Sequence, residues 1–353
     1  MASVVIAPDS FKGSISARGA TEALAKGWRH ARPQDTIFSL PMADGGEGLL
    51  DAIHSVRPDA TIHFEEVTGP HGRPVKATWL QLSDSTAVIE MAQSTGLPLM
   101  DTLDPMGATS LGLGELIARA IEVGCERILV GVGGSATTDA GMGMLEGLGA
   151  VVSRDSATVA DVNSVDVSAL PTPPREGITV LADTKALFLD APAVFGPQKG
   201  ATDEQVAELG RVFERLATNG PSPTAARLPG SGAAGGVAWA LASYMGAVIV
   251  EGSRYVGNLL GIGKVLDGAD YVITGEGRFD STSVSGKVVG HVHALAQAYG
   301  VRGVVVTGQS ASDSLNDWRV VQLSDVAVNN EDTFTQASEL LTRTGEKLAR
   351  EFR

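Results

Sequence analysis

Short apolar runs typical of buried strands alternate along the chain with segments in which apolar residues recur at helical spacing. At the N-terminus, residues 4–7 predict a strand, and residues 16–30 predict a helix with Ser16 as its N-cap. Residues 36–40 and 49–56 repeat that order. After residue 268 strands and helices alternate again, and they are predicted at 271–274, 287–299, 303–307, 320–323 and 334–351. Both ends of the chain therefore follow an α/β pattern.

The middle of the chain differs, because residues 61–68, 75–82 and 86–90 predict three strands without a helix between them. Strands in direct succession indicate an antiparallel or mixed sheet. The length of 353 residues suits about two domains. We therefore predict two unlike α/β domains: a discontinuous outer domain, residues 1–66 and 269–353, and an inserted domain, residues 67–268. Further elements of the inserted domain are expected at 113–123, 127–130 and 202–218, with a loop-rich stretch at 153–178.

One stretch of 18 residues, 233–250, carries no charge and has the length of a short membrane span. Three glycines, Ser243 and Tyr244 interrupt it, so a buried helix ending near Gly246 and a strand at 247–250 explain it better. The N-terminus has no basic segment followed by a long apolar one, which argues against a signal peptide. We expect a cytoplasmic protein without membrane partners.

Composition narrows the function classes. The formal net charge is −14 and no run of Lys or Arg forms a basic patch, so a nucleic-acid partner is not expected. An anionic substrate would have to be met by a local cluster of cations. Cys125 is the only cysteine, so no intrachain disulfide can form, and its apolar neighbours predict a small core residue.

The segment ADGGEG, residues 43–48, combines charge with backbone freedom where a predicted strand passes to a helix. Ligands bind at such strand ends in open α/β sheets. Gly45 and Gly46 let the backbone approach a ligand, and Asp44 and Glu47 are suited to hold Mg²⁺ or to accept a proton. A helix N-terminus with Glu47 favouring the dipole explains the same residues without a ligand.

Two further segments bring charge to predicted strand ends. APDSFKGS, residues 7–14, places Asp9, Ser10 and Lys12 after the first strand, and the lysine suits a phosphate or carboxylate. TGEGRFDSTSVSGK, residues 274–287, is predicted to be a loop with two cations suited to anions and two carboxylates. These residues are Arg278, Lys287, Glu276 and Asp280.

Residues 131–139, GVGGSATTD, match a dinucleotide fingerprint after a strand, so NAD binding stays open. A loop of Gly133, Gly134 and Ser135 that leads to a helix N-terminus can also bind a phosphate or carboxylate through backbone N–H groups, which we favour. Lys199, in the loop VFGPQKG, adds a cation ahead of a helix. The chain has no Walker A sequence, no nucleophile elbow and no zinc pattern.

Taken in order, these glycine-rich and charged segments resemble the bacterial glycerate kinase type I family over nearly the whole chain. The segments that carry the resemblance are APDSFKGS (7–14), PMADGGEG (41–48), VTGPHGRPV (67–75), VIEMAQSTGLPL (88–99), GVGGSATTDAGMGML (131–145), VFGPQKGA (194–201), PGSGAAGG (229–236) and ITGEGRFD (273–280). Two stretches depart from the family pattern. The loop at 183–191 is shortened and rewritten, which leaves the substrate preference open, and DPMGATS at 104–110 replaces an Asn-Pro and a threonine cluster.

The resemblance implies an ATP- and Mg²⁺-dependent kinase that phosphorylates D-glycerate to 2-phosphoglycerate, with one flavodoxin-like domain and an active site in the cleft between the domains. Since phosphoryl transfer requires charge neutralisation and in-line positioning, residue types suggest roles. Asp44 is expected to be the general base or a metal ligand, and Lys12 and Arg278 to hold the carboxylate or the transferred phosphoryl group. Phosphate or substrate binding is assigned to Asp9, Ser10, Gly45, Gly46, Gly133, Gly134, Ser135, Lys199 and Lys287, and metal binding to Asp44, Glu47, Glu276 and Asp280.

Two other functions stay open on the sequence: a kinase for another small hydroxy acid, given the altered loop at 183–191, and an NAD-dependent dehydrogenase that uses the 131–139 loop. A small-molecule substrate and ATP are the expected partners. The sequence does not fix the oligomeric state, and a homodimer stays open.

Overall fold

The computed structural model describes residues 1–156, 158–284, 286–312, 314–328 and 331–352. Within them the chain forms fourteen strands and twelve α-helices. The strands are β1 (Ser3–Ile6), β2 (Thr36–Ser39), β3 (Thr61–Thr68), β4 (Pro74–Gln81), β5 (Thr86–Glu90), β6 (Arg127–Gly131), β7 (Val151–Arg154), β8 (Val162–Asp166), β9 (Ile178–Ala182), β10 (Val248–Glu251), β11 (Tyr271–Phe279), β12 (Arg302–Ser310), β13 (Ser314–Leu315) and β14 (Trp318–Gln322). The helices are α1 (Ala17–Ala31), α2 (Leu49–Val56), α3 (Ala92–Thr95), α4 (Leu111–Glu122), α5 (Met142–Gly147), α6 (Ala191–Phe195), α7 (Asp203–Asn219), α8 (Val237–Met245), α9 (Gly252–Leu260), α10 (Ile262–Leu266), α11 (Val288–Tyr299) and α12 (Ala337–Glu351).

The chain divides into two compact units, and the first consists of Met1–Asp44, Asp51–Pro58 and Gly252–Arg353. Its sheet has the strand order β13-β14-β12-β11-β1-β2, and all neighbouring strands are parallel except β13 and β14. The central strands β1, β11 and β12 are largely buried, as expected of a parallel sheet whose faces are covered by helices. Their carboxyl ends therefore lie side by side at one edge of the sheet.

Helices α1 and α12 pack against each other in the first unit. Helix α1 begins as predicted, because the Ser16 side chain accepts a hydrogen bond of 3.1 Å from the N–H of Gly19. A Cβ added to Gly27 would lie 1.9 Å from the carbonyl oxygen of Thr342, and one added to Gly345 would lie 2.3 Å from that of Leu24. The two helix backbones are therefore in direct contact through glycines.

The second unit consists of Gly45–Leu50 and Asp59–Glu251. Its sheet has the order β10-β9-β6-β5-β4-β3 and is mixed, because β5, β6, β9 and β10 run parallel whereas β3, β4 and β5 are antiparallel. The succession of three strands in the sequence had indicated this arrangement. Strands β7 and β8 form a separate hairpin in the stretch that was expected to be rich in loops.

The predicted domain limits at 66/67 and 268/269 stay predictions. In the structure, the main segment of the second unit begins at Asp59, directly after Pro58, and ends at Glu251. The difference has a physical reason, since β3 pairs with β4 along its whole length and so belongs with the second unit. After Glu251 the sequence did not predict α9 and α10, which belong to the first unit.

Two further expectations can be compared with the structure. Residues 233–250 form a buried helix that ends at Met245, followed by left-handed Gly246 and then β10, as predicted. In the described part of the chain, no helix is long and apolar enough to cross a membrane. The predicted loop from residue 274 onwards was wrong, because β11 continues to Phe279 and pairs with β12 as far as Ser310. Glu276 and Arg278 therefore lie on a strand.

The contact between α1 and α12 predicts the effect of Gly27→Ala. The new methyl group cannot fit beside Thr342 O, so the helices must separate, and we expect the free energy of unfolding to fall by about 1–3 kcal/mol. Gly210→Ala in α7 is the matched control, because no atom lies within 4 Å of the Cβ position there. It should raise stability by up to about 1 kcal/mol. Urea unfolding measures both, and equal effects would contradict the packing argument.

Candidate active site

The loop after β1 is fixed at the carboxyl end of the first unit's sheet. The N–H groups of Ala7 and Asp9 donate to the carbonyl oxygens of Ile273 and Gly275, each at 2.8 Å, so the parallel pairing continues beyond the strand. The N–H of Ser10 donates to Oδ1 of Asp9 at 2.7 Å, which turns the chain. Asp9, Ser10 and Lys12 thus follow the strand end directly, as predicted.

A pocket of about 370 Å³ lies at this edge, where the segments after β1 and β2 meet the ends of β11 and β12. The structure brings many of the predicted site residues together in its lining. They are Asp9, Ser10, Lys12, Asp44, Glu276, Arg278, Asp280 and Lys287. These residues come from three of the segments that the sequence indicated, which are far apart along the chain.

Three carboxylates of the pocket are buried: Asp9, Asp44 and Glu276 are 6%, 3% and 8% exposed. Burial raises the pKa of Asp9 well above its usual range, and the negative charge of Asp44 raises it further. Burial also raises the pKa of Glu276. Both shifts mean that the pocket favours a proton or a cation beside these groups.

Asp280 has a different environment at the edge of the same pocket. The hydroxyl and the N–H of Thr282 donate to its Oδ1 at 2.6 and 2.9 Å, and these bonds hold the pKa of Asp280 below its usual value. Its Oδ2 lies 3.7 Å from Nε of Arg278. Asp280 is therefore suited to remain a carboxylate at neutral pH.

The cations of the pocket differ in their surroundings. Arg278 is exposed apart from its ion pair with Asp280. Lys287 stands at the N-cap position of α11, where the helix dipole favours anions. The charge of Lys12 lowers the pKa of Asp9 and partly offsets the carboxylate repulsion. The pocket can therefore receive an anion at several positively charged points.

Two polar atoms in the pocket indicate that it is built for a ligand. Oγ of Ser10 and Oε1 of Glu276 are buried, and neither has a hydrogen-bond partner among the described residues.

Among the described residues, no three His, Cys, Asp or Glu side chains form a cluster that could hold a metal ion. Mg²⁺ usually takes one or two carboxylates and completes its shell with water and phosphate oxygens, so the donors present fit this ion.

Glu47, the other predicted metal ligand, belongs to the second unit and is exposed. It is not among the described residues that line the pocket. Its place at the start of α2 had suggested an interaction with the helix dipole. At the same turn, Oε2 of Glu90 accepts hydrogen bonds from the N–H groups of Gly48 and Leu50, both at 3.2 Å.

Glu90 is 1% exposed, and burial raises its pKa. Glu90 lies in the segment at 88–99 that carries the family resemblance, but the sequence alone assigned this residue no role. The available signal was an acidic residue directly after the apolar run Ala87, Val88 and Ile89, a position that normally requires a specific partner. Glu90 fixes the turn that immediately follows Asp44 in the chain.

The glycines of ADGGEG and of the 131–139 loop bring two backbones into contact within the second unit. A Cβ added to Gly133 would lie 2.5 Å from Cα of Gly46, and the N–H of Gly133 donates to the carbonyl oxygen of Gly45 at 3.2 Å. Gly45 has φ +91° and lies against Leu181. Close packing therefore accounts for these glycines, whether or not a ligand also approaches them.

Lys199 lies beneath this loop and is 2% exposed. Its Nζ donates to Oγ of Ser135 at 3.1 Å and to the carbonyl oxygen of Thr137. Burial lowers the pKa of Lys199 to about 8. The structure thus joins two predicted segments, with the lysine holding the loop that carries Ser135.

The helix N-terminus that was expected after this loop as part of an anion site differs in the structure. Helix α5 begins at Met142 and is only six residues long. The N–H of Gly143 donates to Oδ2 of Asp139 at 3.1 Å, and that of Met144 donates to Oγ of Ser110 at 2.8 Å. Side chains already satisfy these helix amides, so an anion at Ser135 would have to meet the loop itself.

Several lining residues of the pocket were missed by sequence reasoning. Gly308 and Gln309 follow the predicted strand at 303–307, so the rule that ligands bind at strand ends could have found them. Thr333 and Phe334 precede α12, and no local signal marks them. Phe11 and Ser14 lie in a segment that was singled out for its charged residues only.

A parallel sheet with cations and buried carboxylates at the carboxyl ends of its strands is typical of α/β enzymes, which bind their ligands at this edge. The chain belongs to the glycerate kinase family, whose model matches residues 4–353. It is 36% identical to a glycerate kinase of Bacillus subtilis (strain 168), over 98% of this chain and 96% of that protein. It is 38% identical to a glycerate 2-kinase of Escherichia coli (strain K12), over 88% and 86%.

The fold is similar to the crystal structure of a candidate glycerate kinase 2 from Salmonella typhimurium LT2. The TM-score is 0.80 at 34% identity, and the match covers 99% of this chain and 97% of that one. Membership of a kinase family identifies the chain as a phosphotransferase. The family and the α/β fold class that the sequence predicted are therefore confirmed.

The raised pKa of Asp9 predicts a pH-dependent stability. A carboxyl group whose pKa is raised by folding stabilises the protein fully below its unfolded-state pKa, and the contribution is lost as pH rises through the folded-state value. Asp9→Asn should therefore flatten the fall in unfolding free energy with rising pH, measured by urea unfolding in the absence of divalent ions. Asp51→Asn, at a partly exposed carboxylate of α2, is the control. An unchanged slope in the Asp9 variant would contradict the prediction.

The bonds of Glu90 predict different effects for two substitutions. Glu90→Gln keeps an acceptor oxygen for the N–H groups of Gly48 and Leu50, so the melting temperature should stay close to that of the wild type. Glu90→Leu leaves both groups without that acceptor, and the unfolding free energy should fall by at least about 1–3 kcal/mol. Calorimetry distinguishes the two. If the leucine variant were as stable as the glutamine variant, Glu90 would have no part in fixing the turn.

Proposed function

We propose that this protein is an ATP-dependent kinase that transfers the γ-phosphoryl group to D-glycerate and releases 2-phosphoglycerate. The observation that carries the proposal is the pocket of the first unit, where Lys12, Arg278 and Lys287 meet three buried carboxylates. Family membership supports the substrate class, and the name of the Escherichia coli relative supports position 2 of the product. An active site in a cleft between domains stays a prediction of the resemblance.

Asp44 is our candidate for the general base. It is 3% exposed, and it lines the pocket together with the cations. In the proposed step the substrate hydroxyl oxygen attacks the γ-phosphorus of ATP, its proton passes to the Asp44 carboxylate, and the bond to the ADP oxygen breaks. General base catalysis of this kind typically contributes about 10²- to 10⁴-fold to the rate.

The cations of the pocket bind the anionic groups in this proposal, and two of the remaining carboxylates bind the metal ion. Lys12 and Arg278 hold the glycerate carboxylate or the transferred phosphoryl group, since Arg in particular matches such oxygens with a planar fork. Lys287 and the N-terminus of α11 hold phosphate oxygens. Glu276 and Asp280 would hold Mg²⁺, which supplies charge neutralisation of the phosphates when bound. Asp9 and Ser10, which line the same pocket, orient the substrate.

The loop of the second unit has a supporting role in the proposal. Gly133, Gly134 and Ser135 offer an anion-binding surface, and buried Lys199 keeps that surface in place through Ser135. Oγ1 of Thr137 and Oγ1 of Thr138 are buried without a hydrogen-bond partner among the described residues, so the loop also has polar atoms that a ligand could satisfy.

The rewritten loop at 183–191 bears on substrate choice. Phe188 of this loop is fully buried and stacks on Phe213 and Trp239, whereas Leu187 and Leu189 are exposed. The stacking of Phe188 therefore fixes the loop, and Leu187 and Leu189 lie on its exposed side. A kinase for another small hydroxy acid is therefore the second candidate, whereas the short, late-starting α5 argues against a dinucleotide fingerprint.

The purified protein tests these functions in one assay. ADP release from ATP and Mg²⁺ is followed with D-glycerate and with a panel of other small hydroxy acids, and ³¹P NMR identifies the phosphorylated position. We expect D-glycerate to give the highest kcat/KM and the phosphate to lie at position 2. Preference for another acid would favour the second candidate, and a nicotinamide absorbance change without ADP release would favour a dehydrogenase.

Asp44→Asn tests the general base directly. The amide cannot accept the hydroxyl proton, so kcat should fall by about 10²- to 10⁴-fold while the melting temperature stays close to that of the wild type. Asp51→Asn removes a carboxylate of the first unit away from the pocket, and its kcat should not change. Near-normal turnover in the Asp44 variant would sink the assignment.

A further inference from the structure

Phe334 is an exposed aromatic side chain at the edge of a strongly charged pocket. It precedes α12, lines the same pocket as Lys12 and Asp44, and is 55% exposed. An exposed phenylalanine has no role in a site that binds only ions and hydroxyl groups. Its place in the lining of the pocket therefore points to a ligand that has a planar or apolar part as well as charge.

Hydrogen bonds fix the backbone of Phe334, and the loop after β1 lies against its ring. The Phe334 N–H donates to Oδ1 of Asp332 at 2.9 Å, and its carbonyl oxygen accepts a hydrogen bond from Oγ of Ser14. A Cβ added to Gly13 would lie 3.0 Å from Cζ of Phe334. Gly13 has φ +75°, a conformation that favours glycine, so the loop leaves room for the ring directly after Lys12.

The chemistry of the lining limits the ligand that this ring could serve. Phe11, the other aromatic residue of the described lining, is 2% exposed and cannot offer a face. The remaining lining residues are charged, polar or glycine. D-glycerate has no apolar surface for a phenyl ring, whereas a nucleotide carries phosphates and a planar base in one molecule. The ring and the cations together match a nucleotide.

We propose that Phe334 forms the nucleobase subsite of this kinase, with the base of ATP stacked on the exposed face of the ring. The inference rests on the proposed ATP dependence and adds the place where the base binds. Stacking of the base on Phe334 orients the nucleotide, because the base then lies beside Gly13 and the phosphates reach Lys12 and Lys287. Every base has a π-face, so stacking alone gives affinity with little selectivity between bases.

Binding measurements separate the base from the phosphates. Isothermal titration calorimetry compares ADP with inorganic tripolyphosphate, both with Mg²⁺, on the wild type and on Phe334→Ala. Loss of base stacking should raise the Kd for ADP by about 5- to 100-fold. The Kd for tripolyphosphate should stay within about twofold, because the cations remain. Phe334→Trp should restore ADP binding, since the indole offers a larger face.

Phe64→Ala is the matched control, because Phe64 is 77% exposed on β3 and does not line the pocket among the described residues. Unchanged ADP binding in Phe334→Ala would overturn the inference. An equal loss for ADP and tripolyphosphate would also overturn it, since the effect would then lie in the phosphate site. If the wild type binds ADP through Phe334 but does not phosphorylate D-glycerate, the proposed substrate fails and the nucleobase subsite stands.

Discussion

The burial of three carboxylates governs the pocket of the first unit, and their mutual repulsion adds to its effect. Asp9, Asp44 and Glu276 are nearly inaccessible to water, and a buried negative charge is costly unless it is paired. The fold places them together because parallel neighbouring strands end at the same edge of the sheet. Such a site gains stability when positive charge comes close to the carboxylates, and the proposed function uses Mg²⁺ and the neighbouring cations for this purpose.

Direct contact between backbone segments occurs in both units. Gly27 and Gly345 allow two helices of the first unit to touch, and Gly133 and Gly46 allow two loops of the second unit to do so. Glycine has no Cβ, so the peptide groups themselves become the packing surface. This explains why a chain with 43 glycines still forms well-defined elements: many of these residues are fixed by their neighbours.

Sequence reasoning recovered the elements with clear periodicity or capping, such as α1 with Ser16 and the antiparallel succession of β3, β4 and β5. It also selected charged residues that the structure gathers in one pocket, because strand-end loops with glycine and charge are a local signal. It missed Glu90, whose partners are more than thirty residues away along the chain. It also missed Phe334, because the contact with Gly13 exists only once both ends of the chain meet. An acidic residue at the end of an apolar run can indicate that a partner exists, but the local sequence does not show which distant residue that partner is.

The division of the chain between the units has a consequence for biosynthesis. Strand β1 precedes the second unit in the chain, yet one of its two neighbours in the sheet, β11, is made only after the whole of the second unit. On the ribosome, the N-terminal segment must therefore remain without its partner strand while the second unit can already collapse. Domains tend to fold as units during synthesis, and non-local pairing is slow. The pocket that contains Asp9 and Lys12 can therefore form only after β11, β12 and the segment before α12 have been made.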